Sequence, residues 1–85
     1  MEFTKTYTSV RVGDDMLRHR VKIEDNVETE RGSLDARKRF FYLLDTMITT
    51  PDLLTVGPIM VCDQFTLRHD ETHWVLEMEA IGVGQ

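Results

Sequence analysis

Apolar and polar side chains alternate near the N-terminus in a pattern typical of β-strands. Residues 3–12 are mostly threonine, valine and tyrosine, and the turn signal Gly13-Asp14-Asp15 follows them. Residues 16–25 then alternate with a period of two, which is typical of a half-buried strand. The apolar face of this second stretch consists of Leu17, His19, Val21 and Ile23. The two stretches together predict a β-hairpin.

The segment between residues 34 and 49 has the period of an α-helix. Ser33 is a preferred N-cap residue, and Asp35 lies in the first turn, where the helix dipole favours an acid. Pro51 ends the helix because proline cannot continue the hydrogen-bond ladder. The apolar half of the helical wheel consists of Ala36, Phe40, Phe41, Leu43, Leu44, Met47 and Ile48.

Two further alternating stretches, residues 59–69 and 74–81, flank the turn Asp70-Glu71-Thr72 and predict a second hairpin. The element order is therefore strand, strand, helix, strand, strand. It predicts an α+β domain with a four-stranded, mainly antiparallel sheet and one amphipathic helix packed on one face. The predicted core is Leu17, Val21, Ile23, Phe40, Leu43, Leu44, Met47, Ile48, Ile59, Val61, Phe65, Leu67, Trp74, Leu76 and Met78.

The lengths of the hairpin turns decide which side chains share a face. An even-length turn after Val12 puts Val10 on the core face. The outer face of the first hairpin then carries Phe3, Lys5, Tyr7, Ser9 and Arg11 beside Met16, Arg18, Arg20, Lys22 and Glu24. An even-length turn in the second hairpin sets Leu67 opposite Leu76 and Phe65 opposite Met78. Its outer face carries Met60, Cys62, Gln64, Thr66 and Arg68 beside Val75, Glu77, Glu79, Ile81 and Val83.

Composition narrows the class of protein. The chain has 85 residues, one cysteine and a formal net charge of −5, which predicts one domain over residues 1–85 without an intramolecular disulfide. No apolar run approaches the roughly 18 residues that suggest a membrane span, and residues 1–5 do not resemble a signal peptide. We therefore expect a cytoplasmic protein with no membrane partner. Its acidity disfavours general nucleic-acid binding.

A domain of this size is marginally stable alone, which favours association. The outer sheet face carries basic groups on the first hairpin and acidic and apolar groups on the second. A two-fold axis can therefore lay the basic hairpin of one copy on the acidic hairpin of another. This pattern predicts a non-enzymatic protein-interaction module that forms a homodimer through that face or binds an unidentified protein partner. The predicted interface consists of Met60, Cys62, Val75, Glu77, Glu79, Ile81, Arg18, Arg20 and Lys22.

Single-stranded nucleic-acid binding is an alternative function for the first hairpin. Sheets bind single strands through aromatic side chains that stack on bases, interleaved with cations. The residues predicted to do so are Phe3, Lys5, Tyr7, Arg11, Arg18, Arg20 and Lys22. The acidic total opposes this function.

A small enzyme or metal site near the turn His69-Asp70-Glu71-Thr72-His73 is a second alternative. Two histidines four residues apart, His69 and His73, share a face in a helix, whereas the flanking pattern predicts a solvated hairpin tip. Cys62 is either a small hydrophobe or half of a nucleophile pair with a histidine. Asp63 interrupts an apolar face and marks a β-bulge, a partner of His19 or a buried acid. The chain has no glycine-rich phosphate loop, so we expect no cofactor.

Overall fold

The computed structural model describes residues 2–56, 60–61 and 64–83. The elements are β1 (Phe3–Arg11), β2 (Met16–Asp25), α1 (Leu34–Thr49), a 3₁₀ turn (Pro51–Leu54), β3 (Thr55–Val56), β4 (Met60–Val61), β5 (Phe65–Asp70) and β6 (His73–Val83). The main sheet is antiparallel with the strand order β1-β2-β6-β5, and α1 lies against β6. The predicted α+β fold is confirmed. Within the described residues, no helix is long and apolar enough to cross a membrane.

The core lies between α1 and one face of the sheet. Alternation along β2 and β6 brings their apolar side chains to this face, and the helical period brings Leu43 and Met47 to meet them. The buried cluster consists of Phe3, Val21, Ile23, Leu43, Met47, Leu76 and Met78. Leu44, Leu67 and Trp74 pack against it at its margin. These members of the predicted core are therefore confirmed, and Phe3 is added to them.

Two residues of the predicted core are exposed instead. Ile48 is 80% exposed and Phe65 is 43% exposed. Ile48 lies about 100° around the helix from the line of Ala36, Leu43 and Met47 that faces the sheet, because each residue turns the helix by roughly 100°. Phe65 is the first residue of an edge strand. Of the other predicted core positions, Leu17 and Phe40 are half-buried, and Ile59 and the side chain of Val61 lie outside the described residues.

Local contacts fix both ends of α1. The Ser33 hydroxyl accepts a hydrogen bond from the Ala36 amide (3.1 Å), as the sequence predicts. The Thr50 amide donates to the Thr46 carbonyl (2.8 Å) at the other end. The indole N–H of Trp74 donates to the Ala36 carbonyl (2.8 Å) and so attaches the first turn of the helix to β6.

A buried ion pair connects α1 to the end of β2. Arg39 donates from Nε to Oδ2 of Asp25 (2.9 Å) and from a terminal nitrogen to Oδ1 (2.7 Å). Asp25 is 1% exposed and also accepts the Val27 amide (3.0 Å). The guanidinium lies over the rings of Tyr42 (4.6 Å) and Phe3 (5.4 Å). The hydrogen bonds to Asp25 raise the pKa of Arg39, so the guanidinium stays charged at every ordinary pH.

The register of the first hairpin differs from the prediction. The Val12 amide donates to the Met16 carbonyl (3.0 Å), which leaves a three-residue turn, Gly13–Asp15, instead of an even one. Tyr7 consequently lies opposite Val21. A shift of one residue moves every side chain of a strand to the other face. The odd residues of β1 therefore share the α1 side of the sheet with the core, and Val10 lies on the outer side.

The second hairpin has the predicted register, with Phe65 opposite Met78 and Leu67 opposite Leu76. Its first strand is shorter than predicted, because β5 begins at Phe65. Met60, predicted on the outer sheet face, instead pairs with Val56 in the separate β3–β4 ladder. This assignment of Met60 was wrong. Apart from Asp63, alternation continues over residues 59–69, so the pattern alone does not show that β4 and β5 belong to different sheets.

Removing one partner of the buried ion pair tests its importance for stability. We expect Asp25→Ala to lower the free energy of unfolding by up to about 3–5 kcal/mol, because it leaves the mostly buried Arg39 guanidinium with only its 3.5 Å contact to Glu2. Urea denaturation measures the loss. Asp45→Ala, which removes an exposed carboxylate from the same helix, is the control and should cost less than about 0.5 kcal/mol. Equal losses in the two variants would contradict the assignment.

Candidate interaction surfaces

The sheet face opposite α1 carries ordered rows of charge. β2 contributes cations at Arg18, Arg20 and Lys22, and β6 contributes the carboxylates Glu77 and Glu79 on the same face. The register sets Arg20 opposite Glu79 and Lys22 opposite Glu77. We call this side of the sheet the outer sheet face. The rows are neighbours because β2 pairs directly with β6, which the pattern of the chain did not reveal.

The charges on the outer sheet face form ion pairs within the chain. Glu79 contacts Arg18 (2.9 Å) and Arg20 (3.2 Å), and Glu77 contacts Arg68 (3.0 Å). All of these side chains are between 38% and 57% exposed, so each pair contributes no more than about 1 kcal/mol to stability. They remain accessible to a second molecule.

Lys22 and Glu24 form a further pair on the same face, at 2.9 Å. Their hydrogen bond raises the pKa of Lys22 and lowers the pKa of Glu24. Both groups therefore keep their charge near neutral pH. The stabilisation from Glu24 is present above the usual pKa of a glutamate and is lost as pH falls through its lowered value.

One end of the outer sheet face is apolar. Val10, Met16 and Ile81 are exposed there, and Ile81 is 54% exposed. The register places Val10 and Ile81 on opposite sides of Arg18, with Met16 diagonal to both. Val75, predicted in the interface, lies on this face but is fully buried. The prediction that Val75 is an accessible contact residue is therefore wrong.

The predicted nucleic-acid platform is divided between the two faces of the sheet. Arg18, Arg20 and Lys22 lie on the outer sheet face, whereas Phe3, Lys5, Tyr7 and Arg11 lie on the α1 side. Phe3 is buried and stacks on Tyr42, with 5.7 Å between ring centroids. The Tyr7 hydroxyl is hydrogen-bonded to Nδ1 of the buried His19 (2.7 Å). The single stacking surface predicted from the sequence is therefore wrong, because the three-residue turn reverses β1.

The two histidines near the β5–β6 turn point to opposite sides of the hairpin. His69 pairs with Trp74, and His73 pairs with Asp70; neighbouring pairs in a strand face opposite ways. Nε2 of His69 lies 3.0 Å from the hydroxyl of Thr29, and its ring meets Trp74 edge to face. The prediction of a metal site shared by His69 and His73 is therefore wrong. No group of three metal-binding side chains occurs in the described part of the chain.

Cys62 and Asp63 lie outside the described residues. Their predicted chemistry, a nucleophile pair for Cys62 and a bulge or buried acid for Asp63, is a sequence-based expectation only. The β5–β6 hairpin, whose register is observed, begins after both of them.

A groove of about 900 Å³ runs beside β1, on the α1 side of the sheet. Phe3, Tyr42 and Leu53 supply its apolar lining. Lys5, Glu2 and Asp52 supply charged groups, and Glu2 is also paired with Arg39 (3.5 Å). Sequence reasoning missed this groove because it placed Phe3 on the other face. The run of threonine and valine in a proline-free strand was the available signal for an exposed edge.

The Tyr42 hydroxyl donates a hydrogen bond to a carboxylate oxygen of Glu2 at the rim of this groove. That hydrogen bond raises the pKa of Tyr42. Because this hydrogen bond needs the protonated hydroxyl, its contribution to stability is complete below the usual pKa of tyrosine. The contribution is lost as pH rises through the raised pKa of Tyr42.

Titration of Tyr42 tests this contact. Tyr7→Phe leaves Tyr42 as the only tyrosine, so tyrosinate absorbance reports it alone. We expect a midpoint above about pH 10, the usual value, and a lower midpoint when Glu2→Ala is added. Equal midpoints in the two backgrounds would show that Glu2 does not hold the phenolic proton.

Comparison of the chain with protein-family models, with curated proteins and with solved structures finds no match. What the surfaces can bind follows from their own chemistry. The outer sheet face offers adjacent rows of opposite charge beside an apolar patch, and β1 offers a strand edge beside a groove.

Proposed function

We propose that the chain is a non-enzymatic protein-interaction module that forms a homodimer through its outer sheet face. The observation that carries this proposal is the placement of a cationic row on β2 directly beside an anionic row on β6. A surface with two adjacent rows of opposite sign is complementary to itself. Isologous contacts of this kind are the commonest form of homodimer.

The symmetry follows from the strand order. A two-fold axis that runs parallel to the strands, between β2 and β6, lays β2 of one copy over β6 of the other. Arg18 and Arg20 then meet the second copy's Glu79, and Lys22 meets its Glu77. Sheets packed face to face lie about 10 Å apart, a distance that the long arginine, lysine and glutamate side chains can span.

The apolar end of the face supports the same arrangement. The axis brings Ile81 of one copy over the end of β2 in the other, next to Met16. Burial of these side chains supplies a favourable term that the ion pairs alone do not, because rim charges contribute more to specificity and association rate than to affinity. The two features together favour a weak or moderate homodimer.

Ile81→Glu tests the interface directly. We expect the solution mass, measured by light scattering at high micromolar concentration, to fall from dimer to monomer because a carboxylate replaces a buried apolar contact. Ile48→Glu is the matched control, since Ile48 is exposed on α1 away from the outer sheet face. It should leave the dimer intact. A strictly monomeric unmodified chain, or a dimer in both variants, would contradict the proposal.

Charge reversal tests the complementarity of the two rows. Arg18→Glu with Arg20→Glu should dissociate the dimer, and so should Glu77→Arg with Glu79→Arg, because each variant opposes like charges across the axis. A chain that carries all four substitutions together with Lys22→Glu exchanges the rows and should dimerise again. Circular dichroism confirms that each variant is folded. No recovery in the folded five-residue variant would count against the proposed pairing of β2 with β6.

A further inference from the structure

The side of α1 that faces away from the sheet carries an apolar stripe. Leu34, Phe41 and Ile48 are between 64% and 80% exposed. They lie seven residues apart, so they line up along about 21 Å of the helix. Phe41 is about 140° around the helix from Ala36, which is buried. A single exposed apolar residue is ordinary, whereas a stripe with heptad spacing is typical of a helix that packs against another helix.

Two opposite charges follow one flank of this stripe. Lys38 and Asp45 are also seven residues apart, and both are exposed. Neither forms an ion pair within the part of the chain that the structure describes. Phe41 lies between them along the helix, so the flank is cationic toward the start of α1 and anionic toward its end. The stripe itself is symmetric about Phe41, with an aliphatic residue seven positions away on either side.

An antiparallel second copy of α1 matches both patterns at once. A two-fold axis at Phe41, perpendicular to the helix, places Leu34 on Ile48 of the other copy and brings the two Phe41 rings together. The same axis keeps each flank on its own side and reverses its direction, so Lys38 of each copy meets Asp45 of the other. A parallel pair would instead set this charged flank against the opposite, apolar flank of the partner helix. The charges therefore select the antiparallel arrangement.

The margin of the stripe toward the sheet is compatible with the same axis. Leu44 is half-buried there, and Arg37 occupies the equivalent position one heptad earlier. The axis places Arg37 beside Leu44 of the second copy, where the aliphatic part of the arginine can pack while its guanidinium reaches water. The two arginines of a pair are about 12 Å apart along the helix direction, so they do not oppose each other.

We infer that α1 pairs with α1 of a second copy, antiparallel and centred on Phe41. One helix of four turns offers less area than a standard interface, so this pairing forms at higher concentration than the homodimer does. The contact does not depend on the homodimer. Its consequence for assembly does rest on the proposed function: the outer sheet face and α1 lie on opposite sides of each copy, so both contacts together join homodimers into an open row.

Disulfide trapping tests the register of the pair. Each chain carries Ile81→Glu, which removes the homodimer contact, and Cys62→Ser, which leaves an introduced cysteine as the only thiol. In a glutathione redox buffer, Phe41→Cys chains should cross-link to each other, because residue 41 lies on the axis. Thr49→Cys, at another exposed position of α1, is the control. It should cross-link at least about tenfold more slowly, because its two Cα atoms lie too far apart for a disulfide. Equal rates would overturn the inference.

A mixture of two variants distinguishes the antiparallel pair from a parallel one. Leu34→Cys chains and Ile48→Cys chains should each cross-link slowly alone, since the two copies of either residue lie at opposite ends of the pair. Mixing them should give the mixed disulfide at least about tenfold faster, because these two positions face each other within disulfide range. Mass spectrometry identifies the product. Rapid cross-linking of each variant to itself would show a parallel pair and would overturn the inference.

Charge exchange tests the ion pairs beside the stripe. In the Phe41→Cys chain, Lys38→Glu or Asp45→Lys should slow trapping at least about fivefold, because each change opposes like charges at two places. The chain with both changes should recover the original rate, since the two signs are then exchanged. Circular dichroism confirms that each variant is folded. Equal rates in all four chains would overturn the pairing of Lys38 with Asp45.

The outcomes for this contact and for the homodimer are separable. Trapping at residue 41 in the Ile81→Glu chain supports the α1 contact whether or not the outer sheet face dimerises. Restoring Ile81 should raise the mass well above that of the disulfide-linked pair, which would support the open row. A mass that stays at the linked pair would overturn the row and the proposed homodimer but not the α1 contact. A failure of trapping beside an intact homodimer would overturn the α1 contact alone.

Discussion

The buried ion pair between Asp25 and Arg39 is the contact on which the arrangement of the fold depends. It joins the last residue of β2 to α1 with two hydrogen bonds, and the Asp25 side chain is fully buried while the Arg39 side chain is 15% exposed. Such a pair requires matched geometry, because each charge loses several kcal/mol of hydration on burial. It therefore holds α1 in one position relative to β2, while the Trp74 indole holds the start of the helix against β6. Arg39 also lies over the ring of Tyr42, which lines the groove beside the start of β1.

The three-residue turn after β1 is the second constraint, and it decides the chemistry of both faces. It turns Phe3 into the core and sends Lys5 and Tyr7 to the side covered by α1. The outer sheet face consequently loses the predicted aromatic side chains together with Lys5 and Arg11, and keeps the charges of β2 and β6. On that face, β1 contributes only threonines and one valine.

Hydrophobic periodicity was sufficient to predict the element order, the helix from Leu34 to Thr49 and the register of the second hairpin. These features depend on local signals: alternation, the Ser33 cap and Pro51. The register of the first hairpin could not be predicted in this way. One residue more or less in the turn after Val12 exchanges the two faces of β1. The sequence of β1 does not show which face is buried, because it carries threonine on one face and mixed side chains on the other. The pairing of β2 with β6 is likewise non-local, so the adjacency of the charged rows was not visible in the chain.

The helix shows a similar limit. A helical wheel separates apolar from polar residues, but the sheet covers only a narrow arc of the surface of α1. Ala36, Leu43 and Met47 are therefore buried, whereas Phe41 and Ile48 are exposed. The ion pair could not be predicted either, since Asp25 and Arg39 are 14 residues apart and each is typical of a solvated position. Polar contacts of this type follow from the tertiary arrangement and not from the pattern of the chain.

An isotope-filtered nuclear Overhauser experiment tests whether the outer sheet faces of two copies are in contact. The sample is an equal mixture of labelled and unlabelled chains at a concentration where the mass is dimeric. A homodimer through this face should give intermolecular contacts between the methyl groups of Ile81 and Met16. Intermolecular contacts confined to Ile48 on α1, with none at Ile81, would contradict it.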